Sequence, residues 1–320
     1  MPGGFDAAMD GAHLLGALAA LGSAASWALG SVLFKRLGDA LAPVALTATK
    51  GAVGAAMLAL VFPALALRPV APGASEAGAW ELLVLSGLLG IAAGDTLFFM
   101  ALNRLGAQAV VLLLTLGQVL TVLLAVAWLG ERPGPVGWAG IALVIGGVGA
   151  VMWARLRGEA GRSEWTGVLC GLAAVVCMAV SVIVAKRALD AGVNSVQATL
   201  VRMAAGTAGA VALGLAAGLV AGRGADGRAA GWAGGLRPLL EPRFAGLFLL
   251  SVAVVTFGGF WLSLFAVEQA GVAVASTLGS LEPVLVLPFA ALVLRERITP
   301  PVLAGSLAAT AGVALLARPW

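Results

Sequence analysis

The 320-residue chain has no tyrosine, one histidine (His13) and two cysteines, and only 11% of its residues carry charge. Each shortage closes a route. A lone histidine cannot supply the paired imidazoles of an HExxH zinc site, and two cysteines cannot build a structural zinc centre or a disulfide framework. No GxSxG elbow and no glycine-rich phosphate loop stands in a suitable context. Enzymatic chemistry is thereby reduced to the idea of an intramembrane Ser–Lys pair, and neither a metal nor any other cofactor is expected. The scarcity of charge excludes a soluble globular domain, where about 25% of residues are charged and about 45–50% apolar. It excludes disorder for the same reason.

What the chain has in excess is apolar surface: 61% of residues are hydrophobic and the mean hydropathy is +1.05. An outer-membrane barrel alternates polar and apolar positions and would hold that mean down. The expected fold class is therefore an all-α integral membrane protein. Nineteen basic against 15 acidic residues give a net charge of +4. Most basic residues fall in short gaps between apolar runs, so they are read as setting topology and not as a nucleic-acid surface. Asp6 and Asp10 precede the first basic residue, Lys35, so the basic leader of a secretory signal is missing and the first apolar run is expected to be retained. Cys170 and Cys177 lie within one apolar run and are read as small packing residues.

A span needs about 20 predominantly apolar residues. That rule places ten, at 14–34, 43–67, 80–102, 107–129, 135–154, 166–185, 195–220, 244–266, 272–294 and 300–317. The stretch 221–243, rich in Gly and Arg, reads as one long flexible loop. Trp80, Trp128, Trp138, Trp153 and Trp165 stand at span ends, where an indole prefers the headgroup level. Trp27 and Trp261 stand inside spans, where packing and a substrate-facing ring are the alternatives. Spacings such as Gly90 with Gly94 and Gly167 with Gly171 allow close helix approach.

Sliding the chain along itself exposes a repeat. Ala101 to Met152 aligns without gaps on Ala266 to Ala317, so that Gly106 meets Gly271, Glu131–Arg132 meets Glu296–Arg297, Pro135 meets Pro300, Gly140 meets Gly305 and Gly147 meets Gly312. Earlier in each half, Lys35–Arg36 answers Lys186–Arg187, Thr47 answers Thr199 and Lys50 answers Arg202. Five spans is an odd number, so the halves 14–154 and 166–318 enter the membrane in opposite orientations. Inverted repeats are a recurring device of secondary transporters, in which two halves exchange conformations around a central site. An inverted-repeat channel, or a membrane protein whose duplication has no mechanistic role, is the weaker reading.

These residues resemble the EamA-type transporters of the drug/metabolite transporter superfamily. The likeness is carried by Leu129-Gly130-Glu131-Arg132 with Gly140; by Leu281-Glu282-Pro283-Val284 followed by Arg295-Glu296-Arg297, Pro300 and Gly305; by Gly94 to Phe99 leading to Gly106; and by the basic residue of each half's second span. The resemblance implies a path lined by the first four helices of each half, with the fifth as scaffold. Two departures make the halves chemically unequal. Gln118 stands where the second half has Pro283, so no proline breaks the fourth span, and Arg295 replaces the glycine corresponding to Gly130.

Four ionisable residues lie deep in spans: Lys50, Asp95, Arg202 and Glu282. Each costs about 2.5–3.5 kcal/mol on insertion scales and needs a partner or a wet cavity. Lys50 with Asp95 and Arg202 with Glu282 are the pairings suggested within halves. Glu282, Asp95, Lys50, Arg202, Gln118, Thr115, Ser280 and Trp27 form the candidate substrate- or ion-binding set, with Pro283 as a helix break that frees a carbonyl. For each, a structural ion pair, a cap or an interhelical contact is the competing reading. Glu131 and Glu296, beside arginines at span ends, read as interfacial salt bridges. The expected function is a secondary transporter moving a small metabolite, amino-acid-like or amphipathic, outward across a bacterial inner membrane. The bilayer is its partner and protons are the candidate coupling ion. The alternative is a membrane-embedded enzyme or an assembly protein. Most Lys and Arg follow odd-numbered spans, which by the positive-inside rule puts both termini outside. The resemblance implies the reverse.

Overall fold

The computed structural model describes residues 3–38, 40–63, 76–120, 123, 134–156, 162–193, 195–221 and 234–316. Among them every regular element is helical. The helices are α1 (Gly3–Gly38), α2 (Pro43–Val61), α3 (Glu76–Gly87), α4 (Thr96–Leu105), α5 (Ala107–Leu114), α6 (Pro135–Leu156), α7 (Arg162–Asp190), α8 (Ser195–Ala221), α9 (Pro242–Ala253), α10 (Leu262–Gly279), α11 (Glu282–Phe289) and α12 (Pro300–Leu316). Segments of π-helix join α3 to α4 at Leu88–Asp95 and α9 to α10 at Val254–Trp261, and a third, Ala290–Leu294, follows α11. Among the described residues seven helical stretches are long and apolar enough to cross a membrane, and three shorter apolar ones lie at 107–120, 282–294 and 300–316. The chain is a multi-pass helical membrane protein. Residues 129–132, Trp128 and positions 222–233 of the expected loop lie outside the described residues, while Gly234–Leu240 forms a 3₁₀ turn.

Local chemistry sets the helix ends. α2, α6, α9 and α12 each begin at a proline, which fits the first helical turn because no intrahelical donor is lost there. α4 stops at Gly106, whose φ of 79° suits glycine. Asn103 and Arg104, expected in a gap, belong to the last turn of α4. From there Asn103 Nδ2 caps the end of α1 by donating to Gly38 O at 3.0 Å. The gap expected between 266 and 272 is absent. α10 runs unbroken across it, because only Gly271 weakens helix in that stretch, and one glycine costs about 1 kcal/mol. Arg295, at φ 57°, adopts the left-handed conformation that ends the third π segment. Glycine suits that backbone better than arginine does.

The helices gather into two compact units that do not follow the sequence halves. The first combines Met1–Val32, Ala107–Arg162 and Val254–Trp320; the second combines Leu33–Gly106 and Ser163–Ala253. In the first unit the fifth spans of the two halves, α6 and α12, cross through glycines. A Cβ on Gly140 would lie 2.7 Å from Gly312 O, and one on Gly147 would lie 2.7 Å from Gly305 O. The reverse holds for Gly312 and Gly305, at the same distances. Because 140 meets 312 while 147 meets 305, the helices run antiparallel, as inverted repeats require. In the second unit the second spans, α2 and α8, pack together with Gly51 against Met203 and Thr207, while Ala48, Ala92 and Ala210 share a buried cluster.

Candidate functional site

In the first unit, Ala20, Ser23, Ala24 and Trp27 line one face of α1, spaced at i, i+3, i+4 and i+7. That face borders a cavity of about 230 Å³ completed by Gln118, Ser263, Gly279 and Glu282. Ser23 Oγ donates to the carbonyl of Gly259 at 3.0 Å, tying α1 to the second π segment. Such segments leave carbonyls available that a regular helix would use. Gly259 admits the Trp27 ring: a Cβ there would lie 2.9 Å from the indole. Trp27 also meets Phe260 edge to face, with centroids 4.8 Å apart.

Glu282 reaches the cavity because the chain breaks before it. α10 ends at Gly279, Ser280 and Leu281 form a turn, and α11 begins at Glu282. The carboxylate thus stands in the first turn of a helix, where the dipole favours negative charge. Pro283 occupies that first turn and does not interrupt a continuous helix; the break precedes it. Thr310 Oγ1 on α12 donates to the carbonyl of buried Ser280 at 2.9 Å, satisfying one group the break leaves over.

The first half lacks this proline, yet it breaks at the matching place. α5 ends at Leu114, Thr115 is a turn residue and helix resumes at 116–120. Thr115 Oγ1 donates back to Leu112 O at 2.6 Å, and Gln118 N bonds the Thr115 carbonyl at 3.1 Å, tightening the turn. A threonine back-bond and Gly117, a poor helix former, mark the break in place of a proline. The break is what sets Gln118 on the cavity wall.

The second unit holds the other charges. Lys50 on α2 ion-pairs with Asp95 at the end of the first π segment, and both side chains are at most 10% exposed. One turn away, Thr96 Oγ1 donates to Thr47 Oγ1 at 3.2 Å, and the Phe99 ring lies 5.5 Å from Lys50 Nζ. This suggested pair is made. Arg202 takes a different partner from the one suggested: its Nη2 donates to Ser181 Oγ at 3.1 Å, and the charge of Asp95 bears on it. Ser181 and Ser86 bond each other's backbone, Ser181 Oγ to Ser86 O at 2.9 Å and Ser86 Oγ to Ser181 O at 2.8 Å. Gly90 makes room for Ser181. The matching contact in the first unit, Gly30 against Val255, has the glycine on the opposite helix. The repeat places Phe260 where the first half has Asp95, so one carboxylate serves both equivalent cations.

Thus Glu282, Gln118 and Trp27 come together in the first unit, with Ser280 and Thr115 at the paired breaks. Lys50, Asp95 and Arg202 belong to the second. Ser23, Ser263, Ser181 and Ser86 were not singled out from the sequence, since serine is too common within apolar runs to stand out.

Fold and repeat define a multi-pass helical membrane protein with polar groups buried among its helices. A model of the EamA-like transporter family matches residues 14–153 and 165–318, and the chain belongs to that family. A solved structure described only as "Crystal structure of protein" is similar at 19% identity and a TM-score of 0.59, covering 96% of each chain. At that identity the likeness concerns the fold alone. No curated protein matches.

Proposed function

We propose that the chain is a ten-helix secondary transporter of a bacterial plasma membrane that exports a small metabolite bearing a cationic amine, by alternating access between its inverted halves. The observation carrying this reading is the cavity of about 230 Å³, which brings a carboxylate and an amide from the two helix breaks together with two serine hydroxyls and an indole. Its size, just under the usual range for ligand pockets, suits a molecule of amino-acid dimensions. Glu282 offers a counter-ion, Trp27 a ring face for a cation, and Gln118 with Ser23 and Ser263 hydrogen bonds that orient the rest. Glu282 also supplies a coupling device: a carboxylate that holds either the ammonium or a proton exchanges one for the other across the cycle. The Lys50–Asp95 pair and the Arg202–Ser181 contact hold the second unit together and are not substrate contacts in this reading.

The test begins with a metabolite screen comparing cells with and without the protein, followed by flux of the best hit in proteoliposomes. Glu282→Gln is expected to lower flux about tenfold or more and to flatten its dependence on a proton gradient. Trp27→Ala is expected to raise KM more than it lowers the maximal rate. Unaltered pH-dependent flux in Glu282→Gln removes the coupling role, and transport of anionic solutes alone contradicts the substrate class.

A further inference from the structure

A second cavity, about 490 Å³, lies in the first unit at the span ends, away from the breaks. Gln108 from the first turn of α5, Arg155 from the last turn of α6, and Glu296, Arg297 and Thr299 from the segment leading into α12 line it. Its polar groups are mostly donors. Among the described lining residues two guanidinium groups face one carboxylate, and Glu296 Oε1 already accepts the Ala107 N–H at 3.1 Å, which commits it to capping α5. Gln108 is 4% exposed, and its Nε2 has no hydrogen-bond partner; the same is true of the buried Nε of Arg155. Unsatisfied buried donors beside surplus positive charge, at the N-terminus of a 17-residue helix, describe an anion site.

The location narrows the source. Trp153 is 59% exposed on α6, which fits the headgroup level, and Arg155 stands about 3 Å further along the axis. The three gaps that contribute, after the third, fifth and ninth spans, belong to the side of the membrane that carries most of the Lys and Arg. The repeat does not reproduce the site: Ala273 matches Gln108, and Trp320 matches Arg155. The matching positions thus lack the amide donor and one of the two arginines.

We infer that this cavity binds a phosphate-bearing anion through Arg155, Arg297 and Gln108, the headgroup of an acidic phospholipid being the source its depth favours. Bound there, the phosphate bridges the end of α6 to the start of α12 and anchors that crossing to one leaflet.

The experiment measures the thermal unfolding of delipidated, detergent-purified protein while phosphatidylglycerol, phosphatidylcholine or inorganic phosphate is added. Wild type is compared with Arg155→Gln/Arg297→Gln. Phosphatidylglycerol is expected to raise Tm, with the double variant needing about tenfold more lipid for the same shift, and phosphatidylcholine to have little effect. A shift with phosphatidylglycerol alone identifies a lipid site. An equal, variant-sensitive shift with inorganic phosphate identifies a free-anion site; both support the inference. It is overturned if wild type does not respond, if the variant responds equally, or if phosphatidylcholine acts as strongly. Should the double variant not fold, Gln108→Leu, which removes the unpaired donor and keeps the bulk, is scored by the same criteria.

Discussion

Asp95 pairs with Lys50 and its charge also bears on Arg202, so removing Asp95 and removing Lys50 are not equivalent. Asp95→Asn removes the carboxylate that pairs with Lys50 and withdraws the field acting on Arg202, whereas Lys50→Met leaves Asp95 with the Arg202 charge still in range. Breaking a buried ion pair on one side typically costs about 3–5 kcal/mol. Asp95→Asn is expected to reach that range and Lys50→Met to fall below it. The pair Lys50→Met/Asp95→Leu should cost less than the sum of its parts. A double-mutant cycle on unfolding in detergent measures all three. At Arg295, relief of the left-handed backbone favours glycine, so Arg295→Gly should gain about 1 kcal/mol in the same assay. The ionisable residues were legible in the sequence because charge inside an apolar run is conspicuous. Their partners were only half legible. Lys50 and Asp95 share a half and pair; Arg202 turned to Ser181, a residue type that carries no such signal.

Helix breaks show what element-level reading can and cannot see. Pro283 announces the second one. The first has no proline and is marked by the Thr115 back-bond and Gly117; Thr115→Val, which keeps shape but loses the back-bond, is expected to extend α5 through the turn. It should withdraw Gln118 from the cavity and lower flux as Gln118→Leu does, with little loss of stability; proteoliposome flux alongside Tm tests both. The π segments at Leu88–Asp95 and Val254–Trp261 hold no proline to announce them, and they emerge only once α3–α4 and α9–α10 are seen as continuous rods. At the α6–α12 crossing, Gly147→Leu drives a side chain into the Gly305 backbone and should destabilise by at least 1–3 kcal/mol, roughly the cost of overpacking. Gly149→Ala, two residues away in open space, should be neutral or gain about 0.5–1 kcal/mol. The glycines were legible as small spacings, but nothing in their spacing told which ones touch.

For the whole molecule, the antiparallel run of α6 and α12 makes a prediction that does not depend on which side is cytoplasmic. Reporters fused after Gly158 and after Trp320 should lie on opposite sides of the membrane; the same side for both would contradict the inverted repeat. The two sequence halves were legible from charged and proline positions, which apolar composition alone does not align. The two compact units were not, since each recruits helices from both halves through contacts far apart in the chain. The glycine crossing has one more implication. Gly140 on Gly312 and Gly147 on Gly305 are one contact made twice, as in an isologous dimer, so a surface there meets its own copy. Fusing the copies into one chain turns a bimolecular encounter into an intramolecular one, with a high effective concentration independent of expression level. Assembly no longer depends on the halves remaining alike, which leaves Gln118 and Pro283, or Arg155 and Trp320, free to diverge.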